Sequence, residues 1–229
     1  MAVSTGFYKK IYNWIMNEAK NEVIYRPFLV NGNPYKSRLF LVGSNGMPLF
    51  KVEPNGEQLF ADALSNQGLL EDLYDSEIHH APREFKGSLH FTNWLQKELQ
   101  ETAVYTALNT YQVESADDLK VVKKENPEVF ARGQVIFDEV FNEFKPEIIV
   151  LQGMATLNQF KAMYADRLVI YNPTITKVQQ LEEEGAFAEM LDHNGKKVYI
   201  FATRSMAYFG KDGLKFECFK NKIREILDN

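Results

Sequence analysis

The segment KPEIIVLQG, residues 145–153, decides the fold class of this chain. Pro146 ends the helical pattern that precedes it, the run IIVL at 148–151 is apolar at every position, and Gly153 ends the run. A short apolar run between such breaks is typical of a strand that is buried on both faces, as strands are in parallel sheets. The segment therefore predicts a buried strand, and the helical patterns on either side of it predict an α/β protein.

The same alternation extends in both directions along the chain. Short apolar runs predict further strands at 38–42, 103–108, 167–171 and 197–201, and helical spacing predicts helices that include 4–20, 177–190 and 214–227. Strands that alternate with helices predict a single domain over residues 1–229, a three-layer α/β/α fold with a mostly parallel central sheet of about four to five strands. Ligands of such sheets bind beyond the carboxyl ends of the strands. The candidate functional loops are therefore 43–56, 109–113, 152–155 and 203–210.

Smaller signals refine these elements. The helix over 4–20 is predicted to bury an apolar stripe, and Asn194-Gly195 is a tight-turn dipeptide before the strand at 197–201. Ser115 with Asp118 three residues later can form a capping box at the start of a helix. The members of the stripe are Phe7, Ile11, Trp14 and Ile15, and a later helix carries Phe130, Phe137 and Phe141 on one apolar side.

The composition is that of an ordinary globular protein, with 45% hydrophobic and 25% charged residues among 229. The 26 Lys and Arg residues against 31 Asp and Glu residues give a net charge of −5, so nucleic-acid binding requires a local basic surface. Residues 195–222 contain seven basic and two acidic residues and are the candidate for it. Lysines on solvated helix faces are the alternative interpretation of this segment.

Several classes of protein are excluded or disfavoured. No apolar run has the roughly 18–20 residues that cross a bilayer, and the first residues, MAVSTGFYKK, lack an apolar stretch after a basic segment. We therefore expect neither membrane insertion nor secretion. Cys218 is the only cysteine, which excludes an internal disulfide, an iron–sulfur cluster and any zinc site that needs several thiolates. A single cysteine also fits a reducing, cytoplasmic location.

The sequence predicts no cofactor and no metal. Walker-type and Gly-x-Gly-x-x-Gly segments are absent, which disfavours an NTPase or a nicotinamide-dependent enzyme. His79, His80 and His90 do not have the spacing of a helical His-x-x-x-His pair, so they are predicted to be surface or structural histidines.

Four segments, LVGSNG at 41–46, Asn109, KPEIIVLQG at 145–153 and YIFATRS at 199–205, are taken together, and in this order they resemble the uracil-DNA glycosylase-like superfamily. LVGSNG at 41–46 is similar to the family's first active-site loop, and Asn109 closes the second predicted strand where the family has an asparagine that reads the extruded base. KPEIIVLQG at 145–153 is similar to the family's buried strand and turn. YIFATRS at 199–205 lies where the family has a strand that leads into His-Pro-Ser, a loop that grips DNA phosphates. Their order and their positions at strand ends carry the resemblance.

The resemblance implies a DNA base-excision site that needs no metal and no cofactor. One residue, Asn45, would be catalytic and position the attacking water. Residues that would bind the base are Gly43, Ser44, Phe50, Asn109 and Gln152, and residues that would bind phosphate are Arg204 and Ser205.

Each of these residues also has a structural interpretation. The dipeptide Ser44-Asn45 followed by glycine is typical of a turn, and Asn109 could cap a loop after its strand. Phe50 could anchor its loop to the core, Gln152 could simply end its strand, and Arg204 could pair with a carboxylate inside the domain.

Two functions remain open at this point. The first is a DNA glycosylase, an N-glycosyl hydrolase that acts on a flipped, damaged base such as uracil in DNA repair. The second is a catalytically impaired module of the same fold that binds nucleic acid or a protein partner. The sequence departs from the family pattern in two places that bear on this choice, because Gly46 replaces a proline and Ala202, Thr203 and Arg204 precede the matching Ser205 where the family has His-Pro.

Overall fold

The structure is a computed structural model that describes residues 3–18, 25–30, 32–44, 56–66, 72, 82–113, 115–171 and 173–228. These residues form a mixed α/β fold with eight α-helices and a seven-stranded sheet. The α-helices are α1 (Thr5–Tyr12), α2 (Glu57–Ser65), α3 (Arg83–Leu99), α4 (Ala116–Glu125), α5 (Pro127–Phe144), α6 (Gly153–Met163), α7 (Val178–Glu184) and α8 (Glu217–Leu227). The strands are β1 (Leu29–Val30), β2 (Leu39–Gly43), β3 (Ala103–Ala107), β4 (Ile148–Gln152), β5 (Val169–Ile170), β6 (Ala186–Leu191) and β7 (Lys197–Thr203).

The core of the sheet is parallel, as the apolar runs predicted. Its strand order is β1-β3-β2-β4-β7-β6-β5, in which β3, β2, β4 and β7 are parallel to one another and β1, β6 and β5 are antiparallel to their neighbours. Every residue of β2, β3 and β4 is buried. Because full burial of a Val, Leu or Ile side chain contributes about 1.5–3 kcal/mol, these three strands anchor the fold.

The sheet is larger than the four to five strands expected, because β1 and β6 were not predicted. The predicted helix over 177–190 is wrong in its second half: α7 ends at Glu184, and β6 follows as a strand paired with β7. Gly185 has a φ of +104°, which a helix cannot contain. The predicted Asn194-Gly195 turn closes the β6–β7 hairpin, since Gly195 donates from its backbone to the Asp192 carbonyl.

Aromatic contacts connect the sheet to helices on different sides. Paired residues of parallel neighbours share a face, and Phe40 pairs with Val104, so Phe40 and Tyr105 point to opposite faces. The Phe40 ring lies 6.5 Å from that of Phe144 at the end of α5. The Tyr105 ring lies 5.4 Å from that of Phe85 in α3.

The first helical segment agrees with its apolar spacing over the described residues. α1 continues into a π-helical turn, Asn13–Asn17, and the predicted stripe of Phe7, Ile11, Trp14 and Ile15 is buried. The predicted end of this helix, at 19–20, lies outside the described residues.

Candidate functional site

The carboxyl ends of four adjacent strands form one edge of the sheet. In register, Gly43 pairs with Ala107, Val42 with Leu151, and Gln152 with Thr203. The loops that follow β2, β3, β4 and β7 therefore leave the sheet on the same side, as expected for the candidate loops.

The order of the parallel strands creates a topological switch point between β2 and β4. Along the chain, β2 comes first, β3 is added on one side of it and β4 on the other. Connections that run in opposite directions leave a crevice between the loops after these two strands, and ligands of open α/β sheets bind in such crevices. Ser44 leaves β2 there, and Gly153 begins α6 there. Gly153 has a φ of +81°, and among the described residues nothing beyond its chain neighbours and its own helix backbone lies within 4 Å of where its Cβ would be.

Two predicted site residues, Asn45 and Phe50, lie outside the described residues. Their roles therefore stay predictions. Gly43 belongs to β2, and its carbonyl accepts a hydrogen bond from the Leu108 backbone at 3.0 Å. This bond ties the start of the first loop to the end of β3.

Asn109 has the structural role, because both ends of its amide are used inside the protein. Its Nδ2 donates to the Phe130 carbonyl at 2.8 Å, and its Oδ1 accepts from the Tyr111 backbone at 3.1 Å. The side chain is 1% exposed, and a Cβ on Gly133 of α5 would lie 2.0 Å from Oδ1. These two hydrogen bonds make Asn109 a cap of the loop after β3, and its base-reading role stays a prediction.

Gln152 is part of a buried polar cluster that spans three elements. Its Oε1 accepts from the Ser88 hydroxyl at 3.1 Å, and the residue is 4% exposed. Burial raises the pKa of Tyr105, and the nearby Glu84 charge raises it further, whereas hydrogen bonds with Ser88 and Gln152 lower it. Gln152 therefore ends β4 inside this buried cluster, and its base-binding role stays a prediction.

Glu84 is the titratable group of the cluster that sequence reasoning missed. It lies in the first turn of α3, where burial raises its pKa and a hydrogen bond with Ser205 lowers it. Ser205 also caps the turn that follows it, since its Oγ accepts from the Ala207 backbone at 3.2 Å. A half-buried carboxyl group with a raised pKa is a common feature of functional sites. The only signal in the sequence was the pair Glu84 and Ser88, four residues apart beside the apolar face of α3.

Arg204 is held inside the domain by Glu182 of α7. Its Nη2 lies 2.8 Å from Glu182 Oε1, and its Nε donates to Oε2 at 3.3 Å. The backbone N–H of Arg204 and the Thr203 hydroxyl donate to the same Oε2, and the guanidinium lies 4.7 Å from the centre of the Phe216 ring. Glu182 therefore occupies the Nε–Nη2 edge of the guanidinium in an internal ion pair, and the phosphate-binding role of Arg204 stays a prediction.

The basic segment 195–222 is largely neutralised by acidic neighbours. Besides Arg204, four lysines of this segment have a carboxylate within 4 Å of the ammonium group. They are Lys196, Lys197, Lys220 and Lys222. The local positive charge that the sequence indicated is therefore spread over ion pairs rather than concentrated on one open surface.

Within the described residues, no group of three or more His, Cys, Asp or Glu side chains is placed to hold a metal ion. His79 and His80 lie outside those residues. None of the helices in the described ranges combines the length and the apolar composition that a bilayer crossing needs.

A scan against models of protein families finds no match to the chain, and a search of curated proteins finds no significant match either. The functional interpretation therefore depends on the four ordered segments and on the geometry of the carboxyl edge.

Proposed function

We propose that this chain is a three-layer α/β/α domain of the uracil-DNA glycosylase-like type that binds nucleic acid in the crevice between the loops after β2 and β4. The observation that carries the proposal is the adjacency of β2 and β4. This adjacency brings residues 41–44, the described part of segment 41–46, and segment 145–153, far apart in sequence, to one switch point. The aromatic contacts of α3 and α5 with opposite faces of the sheet support the three layers.

The reaction proposed for this crevice is hydrolysis of the N-glycosidic bond of a flipped base. The C1′–N bond breaks and the base leaves with the electron pair as an anion, and a water then adds to the oxocarbenium-like C1′ and gives up a proton that neutralises the released base. The site must therefore hold a water and stabilise negative charge. Asn45 is the residue proposed to hold the water. α6 starts at Gly153 beside the crevice, and the positive end of an eleven-residue helix stabilises an anion at its N-terminus.

A catalytically impaired binding module is the second candidate, and specific contacts favour it. Asn109, which lies where the resembling family has its base-reading asparagine, and Arg204, the candidate phosphate ligand of this chain, are committed to Phe130, Tyr111 and Glu182. Ligand binding at the crevice does not require either residue, whereas base excision would have to proceed without their contribution. On this alternative the ligand is a nucleic acid, or else a protein partner.

A base-release assay with a parallel binding assay separates the two candidates. The purified chain is incubated with single-stranded oligonucleotides that contain uracil, hypoxanthine or xanthine, and abasic sites are cleaved with alkali. Strand breaks above a buffer blank that disappear in Asn45→Ala, while binding persists, establish excision. Salt-dependent binding without breaks establishes the module, because phosphate contacts weaken as salt rises. Absence of binding at low salt overturns the nucleic-acid proposal and leaves a protein partner.

A further inference from the structure

A long groove runs away from the switch-point crevice, between α4 and α5 on one side and α6 on the other. It has a volume of about 860 Å³ and begins at Ser44, directly after β2. On the α6 side it extends from Ala155 to Met163, about 12 Å at 1.5 Å per residue. Stacked bases at about 3.4 Å each would fill that length with three or four nucleotides.

The charged side chains among the described lining residues of the groove are all basic. Lys120 and Lys123 of α4 line it, and no carboxylate is among its described lining residues. Lys120 pairs with Asp117 at 2.7 Å, but both side chains are highly exposed, so this ion pair is weak and can be exchanged for a phosphate contact. In a chain with a net charge of −5, a groove whose described lining carries lysines and no carboxylate favours an anionic ligand.

Phe130 provides an aromatic surface in the middle of the groove. Its spacing with Phe137 and Phe141 predicted a core position, but it is only half-buried and lies outside the hydrophobic core cluster. Lys123 Nζ lies 5.3 Å from the centre of its ring. A ring beside a cation is the arrangement that stacks bases and holds their backbone in single-strand sites.

Amide side chains complete the lining. Asn158 and Gln159 of α6 and Gln134 of α5 face the groove, and Nε2 of Gln159 is buried without a hydrogen-bond partner among the described residues. Amides offer both donors and acceptors, so they can contact the edges of different bases.

We propose that this groove holds three or four nucleotides of a single strand, adjacent in that strand to the nucleotide whose base occupies the crevice. The proposal rests on the proposed function and names the strand form that this site takes. A peptide is the competing occupant of an apolar groove. The one-sign charge, the Lys123–Phe130 pair and the continuity with the crevice at Ser44 favour nucleic acid.

The test is the affinity of the full chain for fluorescein-labelled oligothymidylates of increasing length, from about two to about ten nucleotides. Affinity is expected to rise until the strand covers the crevice and the groove, and then to level off. Lys123→Ala should weaken binding of the longer strands roughly threefold to tenfold and reduce the slope of log K against log salt by about 0.7. Phe130→Ala should weaken it at least about fivefold, because stacking on one aromatic ring is lost.

Lys124→Ala is the matched control. It removes the same charge from the neighbouring exposed position of α4, which does not line the groove. Equal effects of Lys123→Ala and Lys124→Ala, or an affinity that does not depend on oligonucleotide length, would overturn the proposal that the groove binds nucleotides. Either result would leave the proposed binding at the crevice intact. Failure of every oligonucleotide to bind would overturn the proposed function itself. Photo-crosslinking of a 4-thiothymidine strand should label peptides from α4 to α6, and labelling confined to other elements would also contradict the groove.

Discussion

At the scale of single residues, Glu182 organises the loop that follows β7. It is 4% exposed and accepts hydrogen bonds from the Thr203 hydroxyl, the Arg204 backbone and the Arg204 guanidinium. A buried carboxylate needs its counter-charge, because an unpaired ion in a poorly solvated site is costly. Arg204 is therefore a stability residue first.

We expect Arg204→Ala to lower the free energy of unfolding by about 2–4 kcal/mol, somewhat less than the ~3–5 kcal/mol for a fully buried pair, because Glu182 keeps two hydrogen bonds. Urea denaturation measures this loss. Adding Glu182→Gln should recover much of it, since the uncompensated charge is then removed. An undiminished unfolding free energy, together with weaker oligonucleotide binding, would contradict the internal pair and restore the phosphate role.

Glu84 should make stability depend on pH in an identifiable direction. Burial raises its pKa above the ordinary 4.5, so between 4.5 and the folded-state pKa the native chain binds more protons than the unfolded chain. The stability that protonated Glu84 contributes is thus fully present below about pH 4.5 and is lost as the pH rises through the folded-state pKa. Glu84→Gln removes this titration.

We therefore expect the unfolding free energy of Glu84→Gln, relative to the unaltered chain, to increase as the pH is raised from about 4 to about 7. Denaturation curves at a series of pH values measure it. Ser205→Ala is a useful companion, because the hydrogen bond with Ser205 lowers the pKa of Glu84 and its loss should enlarge the pH dependence. A pH-independent difference between Glu84→Gln and the unaltered chain would show that Glu84 is not held in a poorly solvated environment.

At the scale of elements, the seating of α3 against the loop after β7 depends on Gly87. A Cβ there would lie 1.8 Å from the Met206 carbonyl oxygen, which is backbone and cannot turn aside. Relative to glycine, alanine stabilises a helix by about 1 kcal/mol. Displacing the loop that contains Met206 should cost more free energy than this gain. We expect Gly87→Ala to lower the unfolding free energy by at least about 2 kcal/mol.

Gly6 in α1 provides the control for that substitution. Apart from its chain neighbours and its own helix backbone, no described residue comes within 4 Å of its Cβ position, so Gly6→Ala should raise the unfolding free energy by up to about 1 kcal/mol. Thermal denaturation of both variants makes the comparison. Equal effects of the two substitutions would mean that α3 does not pack as closely against residue 206 as described.

Sequence patterns predicted the elements whose signal is local. Continuous apolar runs predicted β2, β3 and β4, and Ser115 caps α4 through the Asp118 backbone as its spacing with Asp118 predicted. β6 was missed because the glutamates before it extend a helical pattern, and only the backbone of Gly185 separates the two. β1 was not predicted because a strand of two residues is too short to show a periodic pattern.

The candidate site could be predicted only as far as its place at the strand ends. Asn109 and Arg204 owe their roles to Phe130 and Glu182, 21 and 22 residues away, and nothing in a single sequence indicates such pairings. The cluster of Tyr105, Gln152 and Glu84 forms because the sheet order brings β3, β4 and α3 together, which is a property of the fold.

At the scale of the whole molecule, the fold concentrates its opportunities for binding at one edge. The four parallel strands end there, the switch point lies there, and the groove past Ser44 starts there. At the opposite edge the chain carries the β6–β7 turn and the ends of α6 and α8, where Arg38 is held by Glu147 at 2.8 Å. We therefore expect the domain to bind its ligand at the carboxyl edge of the sheet and not at the opposite edge.

Hydrogen–deuterium exchange of the chain with and without a saturating uracil-containing single-stranded oligonucleotide tests the central claim most directly. The account predicts slower exchange in peptides that cover residues 41–60 and 152–163, with no change in peptides that cover the opposite edge at 164–171 and 191–197. Protection confined to the opposite edge, or a bound oligonucleotide that leaves both crevice segments unprotected, would contradict a nucleic-acid site at the β2–β4 switch point.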